Sequence, residues 1–257
     1  MQTQPGASSC SIWLRRAGRS EVGGFFRRFR RGSRSEQQPT SPRRNKQEDL
    51  GELAPLVSQA RMSVILARGG EGRVEGDVAL MDVGGVSMAA RVSFAVSQLG
   101  DVLVVGRPGT LAGVAAVPYY RRDSHTSLTG LVTGMRAAVD LSPPGVKPLV
   151  LLVGVDQPYV RVETLRFLLA FAGPNEAVVP VSADGERHGT CAVYPSAWLD
   201  RAERADDDDL TLDQFLGQVK VRELGPDTWE GWGEDGRSWF RVSSAETLEE
   251  ARRRFGP

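Results

Sequence analysis

Cysteine is scarce in this sequence, which has only Cys10 and Cys191 in 257 residues. Two cysteines so far apart provide neither a disulfide framework nor the ligand spacing of a zinc finger. The two histidines, His125 and His188, stand in polar segments without a second nitrogen or sulfur ligand close by, so a zinc site is not expected. The low cysteine content fits a reducing compartment, and the expected location is cytoplasmic.

Long hydrophobic runs are also missing. No run approaches the ~18 apolar residues that a membrane helix needs, and "PLVLLVGV" (Pro148 to Val155) has the length of a buried strand. We therefore expect no transmembrane segment. No apolar region follows the early arginines, as it would in a secretory signal.

The formal charge of the chain is zero, but it is unevenly distributed. Residues 1–50 hold eleven arginine and lysine residues against four acidic ones, which gives +7 there and −7 in the remainder. Ser, Gln, Pro and Gly are frequent in this segment, which predicts a disordered basic tail over residues 1–55. Its patch "FFRRFRR" (Phe25 to Arg31) could contact an anionic membrane surface or RNA. The alternatives are a solvated tail without a role and an organellar transit peptide. An acidic body argues against DNA as a partner of the folded part.

From residue 62 onward, apolar runs of strand length alternate with segments of helical spacing. The order β-α-β-β-α-β-α-β predicts an α/β domain whose mostly parallel central sheet is covered by helices on both faces. The predicted strands are residues 62–67, 101–106, 115–120, 148–155 and 176–182, and the predicted helices are 85–100, 127–140, 162–172 and 211–219.

In such sheets, ligands bind beyond the carboxyl ends of the strands. After the first strand comes "ARGGEGRVEGD" (Ala67 to Asp77), whose glycines let backbone amides approach an anion and whose Arg73 adds a cation. Neither the dinucleotide fingerprint nor the Walker pattern is present. The turn therefore either cradles a phosphate or is a plain tight turn.

Two aspartates follow other strands in the same way. Asp156 ends the central strand in "VGVDQPYV", where one carboxylate is well placed to hold Mg²⁺ with a polyphosphate, or alternatively to cap the next helix. Asp123 could accept hydrogen bonds from a base or ribose, or cap the helix that begins near Ser127. The run "DDDD" (Asp206 to Asp209) suggests a cation site, or a solvated run at the N-terminus of the helix near Thr211.

The order and spacing of these pieces resemble the MobA-like nucleotidyltransferases. The run from Leu66 to Val78 is similar to the family's L-A-G-G-x-S-x-R-M-G-x-D-K, and "DSHTSLTGL" is similar to D-x-x-x-G-P-L-x-G-L. "VGVDQPYV" resembles C-D-M-P-F-L, and "FRVSSAETLEEARR" (Phe240 to Arg253) resembles the closing F-x-N-V-N-T-P-E-D-L-x-x-A. The resemblance covers a domain of residues 62–255.

The resemblance implies a three-layer Rossmann-like nucleotidyltransferase fold and an Mg²⁺-dependent transferase. Its partners would be a nucleoside triphosphate, with GTP expected, and a phosphorylated acceptor such as molybdopterin, which attacks the α-phosphorus and releases pyrophosphate. Asp156 would bind the metal and act in catalysis with Arg73. The nucleotide would contact the residues Leu66, Ala67, Arg68, Gly69, Gly106, Asp123 and Asp156.

Several ligand-side positions depart from the family pattern. Val78 replaces the loop lysine, Arg68 a glycine, Glu71 a serine and Ser243 an asparagine, while Thr126-Ser127 replaces Gly-Pro. A lost charged hydrogen bond to phosphate costs about 1.5–3 kcal/mol of binding, which Arg68 or Arg73 could restore. The alternative function is therefore a degenerate, non-catalytic nucleotide-binding relative that serves as a binding or regulatory protein.

Overall fold

The computed structural model describes residues 61–67, 78–106, 115–121 and 126–256. The predicted basic tail (1–55) lies outside these residues, as do four predicted site residues: Arg68, Gly69, Arg73 and Asp123.

The described part of the chain contains nine strands. They are β1 Arg61–Leu66, β2 Asp82–Val83, β3 Val86–Ser87, β4 Val102–Val105, β5 Ala115–Val117, β6 Leu149–Gly154, β7 Ala177–Pro180, β8 Cys191–Pro195 and β9 Val221–Leu224.

Seven α-helices and four short 3₁₀ helices accompany the strands in the same residues. The α-helices are α1 Met88–Ser97, α2 Ser127–Asp140, α3 Val162–Phe171, α4 Leu199–Asp207, α5 Leu212–Leu216, α6 Pro226–Trp229 and α7 Ala245–Phe255. The 3₁₀ helices are Val78–Leu80, Ser196–Trp198, Glu230–Trp232 and Arg237–Trp239. No described helix is long and apolar enough to cross a membrane.

Seven of the described strands form one sheet in the order β5-β4-β1-β6-β8-β7-β9. Every neighbouring pair is parallel except for the two pairs made by β8, which runs antiparallel to β6 and to β7. β2 and β3 form a separate antiparallel hairpin. The predicted α/β fold with a mostly parallel sheet is therefore confirmed.

The side chains of the central strands alternate between two hydrophobic layers, because successive residues of a strand point to opposite faces. Ile65 of β1 belongs to the layer that contains buried residues of α1 and α3, whereas Val64 and Leu66 belong to the layer with α2, α4 and α5. Helices thus cover both faces, as predicted, and the layers fix the orientation of each strand end.

A third hydrophobic cluster lies at the C-terminal end of the chain. Leu248 and Ala251 of α7 are buried with Val83 of the hairpin and with Tyr159 and Val242. Helix α7 begins at a capping box in which Ser244 and Thr247 exchange hydrogen bonds. This packing brings the segment before α7 against the chain that follows β6.

Most predicted elements lie within a few residues of those observed, with two notable differences. The helix expected over 85–100 begins only at Met88, because Val86–Ser87 pairs in the β2–β3 hairpin and Ser87 caps the helix. The helix expected over 211–219 ends at Leu216, where Gly217 caps it.

Candidate functional site

The carboxyl ends of β4, β1 and β6 lie next to one another and form the candidate site. The amide of Ala67 donates to the carbonyl of Val105 (3.0 Å), and the amide of Val155 donates to the carbonyl of Leu66 (2.9 Å). After β1, the chain continues to β4 and β5 on one side and returns to β6 on the other. This edge is therefore a topological switch point, where open α/β sheets bind ligands.

The structure brings four of the predicted residues together at this edge: Leu66, Ala67, Gly106 and Asp156. The side chain of Leu66 is buried in the hydrophobic layer and its carbonyl already accepts the Val155 amide. A ligand would thus meet Leu66 through its backbone, and Ala67 is the last described residue before the glycine-rich segment.

Gly106 lies directly against Ala67. A β-carbon added to Gly106 would approach the Cβ of Ala67 to 2.6 Å, which is closer than two carbon atoms can pack. Both residues are buried, so the absence of a side chain at Gly106 lets β4 and β1 approach closely at the carboxyl edge. The location of Gly106 beside a base or ribose stays a prediction.

Asp156 stands two residues after β6, with only 2% of its surface exposed. Its Oδ2 accepts a hydrogen bond from Nε of Arg241 at 2.8 Å, and its backbone carbonyl accepts one from the amide of Val242 at 2.7 Å. The alternative that Asp156 caps the next helix is wrong: Arg161 occupies the N-cap of α3, and no side chain caps that position.

The second carboxyl oxygen of Asp156, Oδ1, is buried and has no hydrogen-bond partner among the residues that the structure describes. It lies against Gly154, where an added β-carbon would collide with it. Buried oxygens without a donor are rare in folded proteins and often mark a place that a ligand or ion completes.

The unpartnered Oδ1 is an atom among the described residues that could serve as a Mg²⁺ ligand. Magnesium in nucleotide sites takes one or two carboxylates and receives its other ligands from phosphates and water. Among the described residues no cluster of three or more His, Cys, Asp or Glu side chains could hold a metal ion. The residues therefore fit a Mg²⁺ that receives one oxygen from Asp156 and most ligands from a bound nucleotide, while Arg241 occupies the other oxygen.

Arg241 is a site residue that the sequence analysis missed. It stands between the half-buried Phe240 and the buried Val242, in the segment compared above with F-x-N-V-N-T. If Val242 is matched to the valine of that pattern, Arg241 falls on its first asparagine. An arginine in place of this asparagine, beside the other ligand-side departures from the family pattern, was the signal that could have identified it.

A cavity of about 230 Å³ lies beside the Asp156–Arg241 pair. Arg241 lines it together with Thr126 and Ser127 at the start of α2, Thr190 before β8, and the segment 186–189. The amide of Gly154 donates to the carbonyl of Thr190 at 2.8 Å, so the cavity adjoins the carboxyl end of β6.

His188 lines the same cavity but is mostly buried. Burial lowers the pKa of its imidazole from 6.5 to about 4, with a further contribution from the positive charge of Arg241, although Asp184 acts in the opposite direction. Its Nε2 lies 3.1 Å from Oγ of Ser182, and its ring stacks on Trp239 with 5.5 Å between centroids. At neutral pH His188 thus adds hydrogen-bonding capacity to the cavity wall, and no charge.

The interpretation of "DDDD" as a solvated run at a helix N-terminus is wrong for its first residue. Asp206 lies in the last turn of α4 and is 2% exposed. It accepts hydrogen bonds from Tyr120 (2.5 Å) and from Thr129 (2.7 Å), and Arg121 donates to its carbonyl (2.6 Å). Asp206 thereby anchors the segment that follows β5 to helices α2 and α4.

The remaining predicted positions are only partly described. Arg68, Gly69, Arg73 and Asp123 lie outside the described residues, but the cap of α2 is Thr126, whose Oγ1 accepts the amide of Thr129 at 3.1 Å. Val78 begins a 3₁₀ helix. Ser243 is exposed, and its amide donates to Oγ1 of Thr247.

Several solved structures share this fold. Molybdopterin-guanine dinucleotide biosynthesis protein A from Archaeoglobus fulgidus has a TM-score of 0.61 at 17% identity, over 75% of this chain and 97% of that one. A nucleotidyl transferase from Methanothermobacter has a TM-score of 0.57 at 19% identity, over 76% and 97%. The 2-C-methyl-D-erythritol 4-phosphate cytidylyltransferase of Thermus thermophilus has 0.53 at 21%, over 75% and 98%.

At these identities the structures establish the fold alone, and no curated protein matches the sequence. The model of the MobA-like NTP transferase domain, in contrast, matches residues 63–222, which is more than half of the chain. This range includes β1 from Ser63 onward, the glycine-rich segment after it, Gly106 and Asp156. The chain belongs to the MobA-like NTP transferase domain family.

Proposed function

We propose that this protein transfers a nucleotidyl group, GMP from GTP in the first instance, to a phosphorylated acceptor such as molybdopterin. The observation that carries the proposal is Asp156, a buried carboxyl group at the switch point of a MobA-like domain with one unpartnered oxygen. The scarcity of cysteine supports the cytoplasm as the location.

In the proposed reaction, an oxygen of the acceptor phosphate forms a bond to the α-phosphorus of the nucleotide. The bond from the α-phosphorus to the bridging oxygen breaks, and pyrophosphate leaves with the electron pair. The protein positions the two reactants and neutralises the charge of the phosphates, and it forms no covalent intermediate with them.

Each predicted residue has a role in this proposal. Leu66 and Ala67, followed by Arg68 and Gly69, would contact the base through backbone atoms, and Gly106 would leave space for the base or ribose. Asp123 would contact the nucleotide, and Arg73 would supply positive charge to the phosphates. When Mg²⁺ is bound, it neutralises phosphate charge, and Oδ1 of Asp156 is the atom of this chain that would hold it.

The choice of GTP and of molybdopterin rests on one similar structure, named molybdopterin-guanine dinucleotide biosynthesis protein A. Another similar structure is named as a cytidylyltransferase, so CTP is the competing nucleotide. A thermal-shift series with each of the four ribonucleoside triphosphates and Mg²⁺ separates the two. We expect GTP to raise the melting temperature most and Asp156→Ala to abolish this rise. A larger rise with CTP would identify CTP as the substrate in place of GTP, and no rise with any triphosphate would refute the proposal.

The alternative is a nucleotide-binding relative without turnover, favoured by Val78 in place of the loop lysine and by Glu71 in the presumed phosphate loop. Turnover separates the two functions. Pyrophosphate release with GTP, Mg²⁺ and molybdopterin supports the transferase. Nucleotide binding without pyrophosphate release supports the alternative, particularly if Val78→Lys restores release.

A further inference from the structure

Arg241 uses only part of its guanidinium group in the contact with Asp156. Nε donates to Oδ2 of Asp156 at 2.8 Å, and among the described residues neither terminal nitrogen of Arg241 has a hydrogen-bond or ion-pair partner. The side chain of Arg241 is 42% exposed, whereas that of Asp156 is buried. A guanidinium group has five N–H donors in a planar fork, so four donors remain on the terminal nitrogens.

The backbone and the carboxyl group together fix the direction of this fork. The amide of Val242, the next residue, donates to the carbonyl of Asp156 at 2.7 Å, so two adjacent residues, Arg241 and Val242, each donate one hydrogen bond to Asp156. An arginine held at Nε has lost much of its conformational freedom before a ligand arrives, which favours binding through the terminal nitrogens.

The cavity wall contains a second arginine, but that one is already engaged. Arg187 donates through Nε to Glu223 at 2.7 Å, and its terminal nitrogens pair with Glu223 at 2.7 Å and with Asp213 at 3.5 Å. His188 is neutral, as described above. Of the described cations that line the cavity, Arg241 is thus the one whose donors remain available.

Hydroxyl groups lie around the same space. Thr126, Ser127, Thr190 and Thr211 line the cavity, which is large enough for a phosphate group and part of the molecule that carries it. Two carboxylates, Glu186 and Asp213, also line the cavity, and Asp213 pairs with Arg187 at 3.5 Å. At Arg241, an arginine fork bordered by hydroxyl donors matches a tetrahedral oxyanion, which offers more acceptor oxygens than a carboxylate.

We propose that Arg241, positioned by Asp156, binds a phosphate group in this cavity. This inference depends on the proposed function only for the molecule that carries the phosphate, which is either the acceptor or the nucleoside triphosphate. Asp156 then has two separate tasks, since Oδ2 orients Arg241 and Oδ1 remains available to the metal.

The experiment compares binding by the full chain and its variants in isothermal titration calorimetry. Arg241→Gln removes the charge and the fork. Arg241→Lys keeps a positive charge next to Asp156, so the buried carboxyl group retains its partner even if Arg241→Gln fails to fold. Arg222→Gln is the matched control, because Arg222 pairs with Glu176 (2.6 Å) on the edge strand β9 and does not line the cavity.

The first arm titrates inorganic phosphate into the protein alone and into the protein saturated with GTP and Mg²⁺. If the cavity binds the phosphate of the acceptor, inorganic phosphate binds with and without GTP. Both Arg241 variants then bind inorganic phosphate roughly ten- to a hundredfold more weakly, and their affinity for GTP is unchanged. The second arm titrates GTP with Mg²⁺. If the nucleotide supplies the phosphate, GTP affinity falls by that factor in both variants and bound GTP excludes inorganic phosphate.

Two results would overturn the inference: both Arg241 variants bind phosphate and GTP within twofold of the wild type, or the wild type binds neither. The outcome is separable from that of the proposed function. Phosphate binding that depends on Arg241, in a protein that binds no triphosphate, supports this inference and refutes the proposed function. GTP turnover that is unchanged by both Arg241 substitutions supports the proposed function and refutes this inference.

Discussion

Gly106 and Ala67 touch so closely that one extra methyl group between them has no space: a β-carbon on Gly106 would lie 2.6 Å from the Cβ of Ala67. We predict that Gly106→Ala moves the end of β4 away from β1 and costs roughly 1–3 kcal/mol of stability. Nucleotide binding should weaken as well, because both residues lie at the carboxyl edge. Denaturant unfolding and GTP titration measure the two effects.

The matched variant is the double substitution Ala67→Gly with Gly106→Ala, which moves the methyl group from one backbone to the other. We expect it to recover most of the lost stability, because the collision involves these two β-carbons. A double variant as unstable as Gly106→Ala would show that the cost arises from the backbone conformation of Gly106.

Val78 stands where the resembling family has a lysine, and we predict that Val78→Lys raises the affinity for nucleoside triphosphate by about tenfold or more. In the proposed site, a lysine at this position would add a charged hydrogen bond to the phosphates. Leu80→Lys is the control, since Leu80 belongs to the same 3₁₀ helix and is 64% exposed. Equal affinity gains in both variants would indicate a general charge effect and no specific phosphate contact.

The carboxyl group of Asp206 accepts hydrogen bonds from Tyr120 and Thr129 and lies 3.6 Å from Arg121, whose own hydrogen bond to Asp206 goes to the backbone carbonyl. We predict that Asp206→Ala removes the two side-chain hydrogen bonds and the ion pair and lowers the free energy of unfolding by about 2–4 kcal/mol. Tyr120 would lose its acceptor. Burial, together with the hydrogen bond to Asp206 and its charge, holds the pKa of Tyr120 well above its ordinary value. Exposed Asp208, two residues further on, provides the control. Asp208→Ala should change stability little, and similar losses in both variants would contradict the anchoring role.

His188 gives the fold a predictable dependence on pH. Its pKa of about 4 lies below the 6.5 of an unperturbed histidine, so the unfolded chain binds a proton between these values that the folded chain does not. Stability should therefore fall as the pH is lowered from about 6.5 to 4, by roughly 2–3 kcal/mol in total. The slope fades above pH 6.5 and is almost zero above about pH 7.5, where the histidine is neutral in both states.

Urea unfolding at several pH values, with the wild type and His188→Gln, measures this effect. The variant loses the stacking on Trp239 at every pH, but its slope between pH 6.5 and 4 should be smaller than that of the wild type. Parallel curves would show that other groups, such as Asp184, produce the acid sensitivity.

Local features of this fold can be predicted well from the sequence. Both observed ends of helix α2 agree with its prediction, because its apolar spacing is regular and Thr126 provides a cap. The strand before Asp156 is equally predictable, because a long apolar run with a proline shortly after it permits few other structures. The antiparallel insertion of β8 between β6 and β7 was not predictable, because sheet order depends on contacts between distant segments.

The candidate site was predictable to the extent that it depends on strand ends. Asp156 and Gly106 follow apolar runs, so their positions at one edge follow from a parallel sheet. The burial of Asp206 depends on Tyr120 and Thr129, and the direction of Arg241 depends on Asp156, 85 residues away. Four identical aspartates in sequence give no sign of which one is buried, and nothing in the sequence pairs Arg241 with a particular carboxyl group.

The most direct test of the central claim is calorimetric titration of the four ribonucleoside triphosphates, with Mg²⁺, into the wild type, Asp156→Ala and Asp156→Asn. Asp156→Asn keeps an acceptor for Nε of Arg241 and so protects the fold, although it removes the charge that Oδ1 would offer to the metal. We predict saturable binding of GTP to the wild type and at least roughly tenfold weaker binding to both variants. Absence of binding by every triphosphate, or equal affinity in all three proteins, would contradict the account.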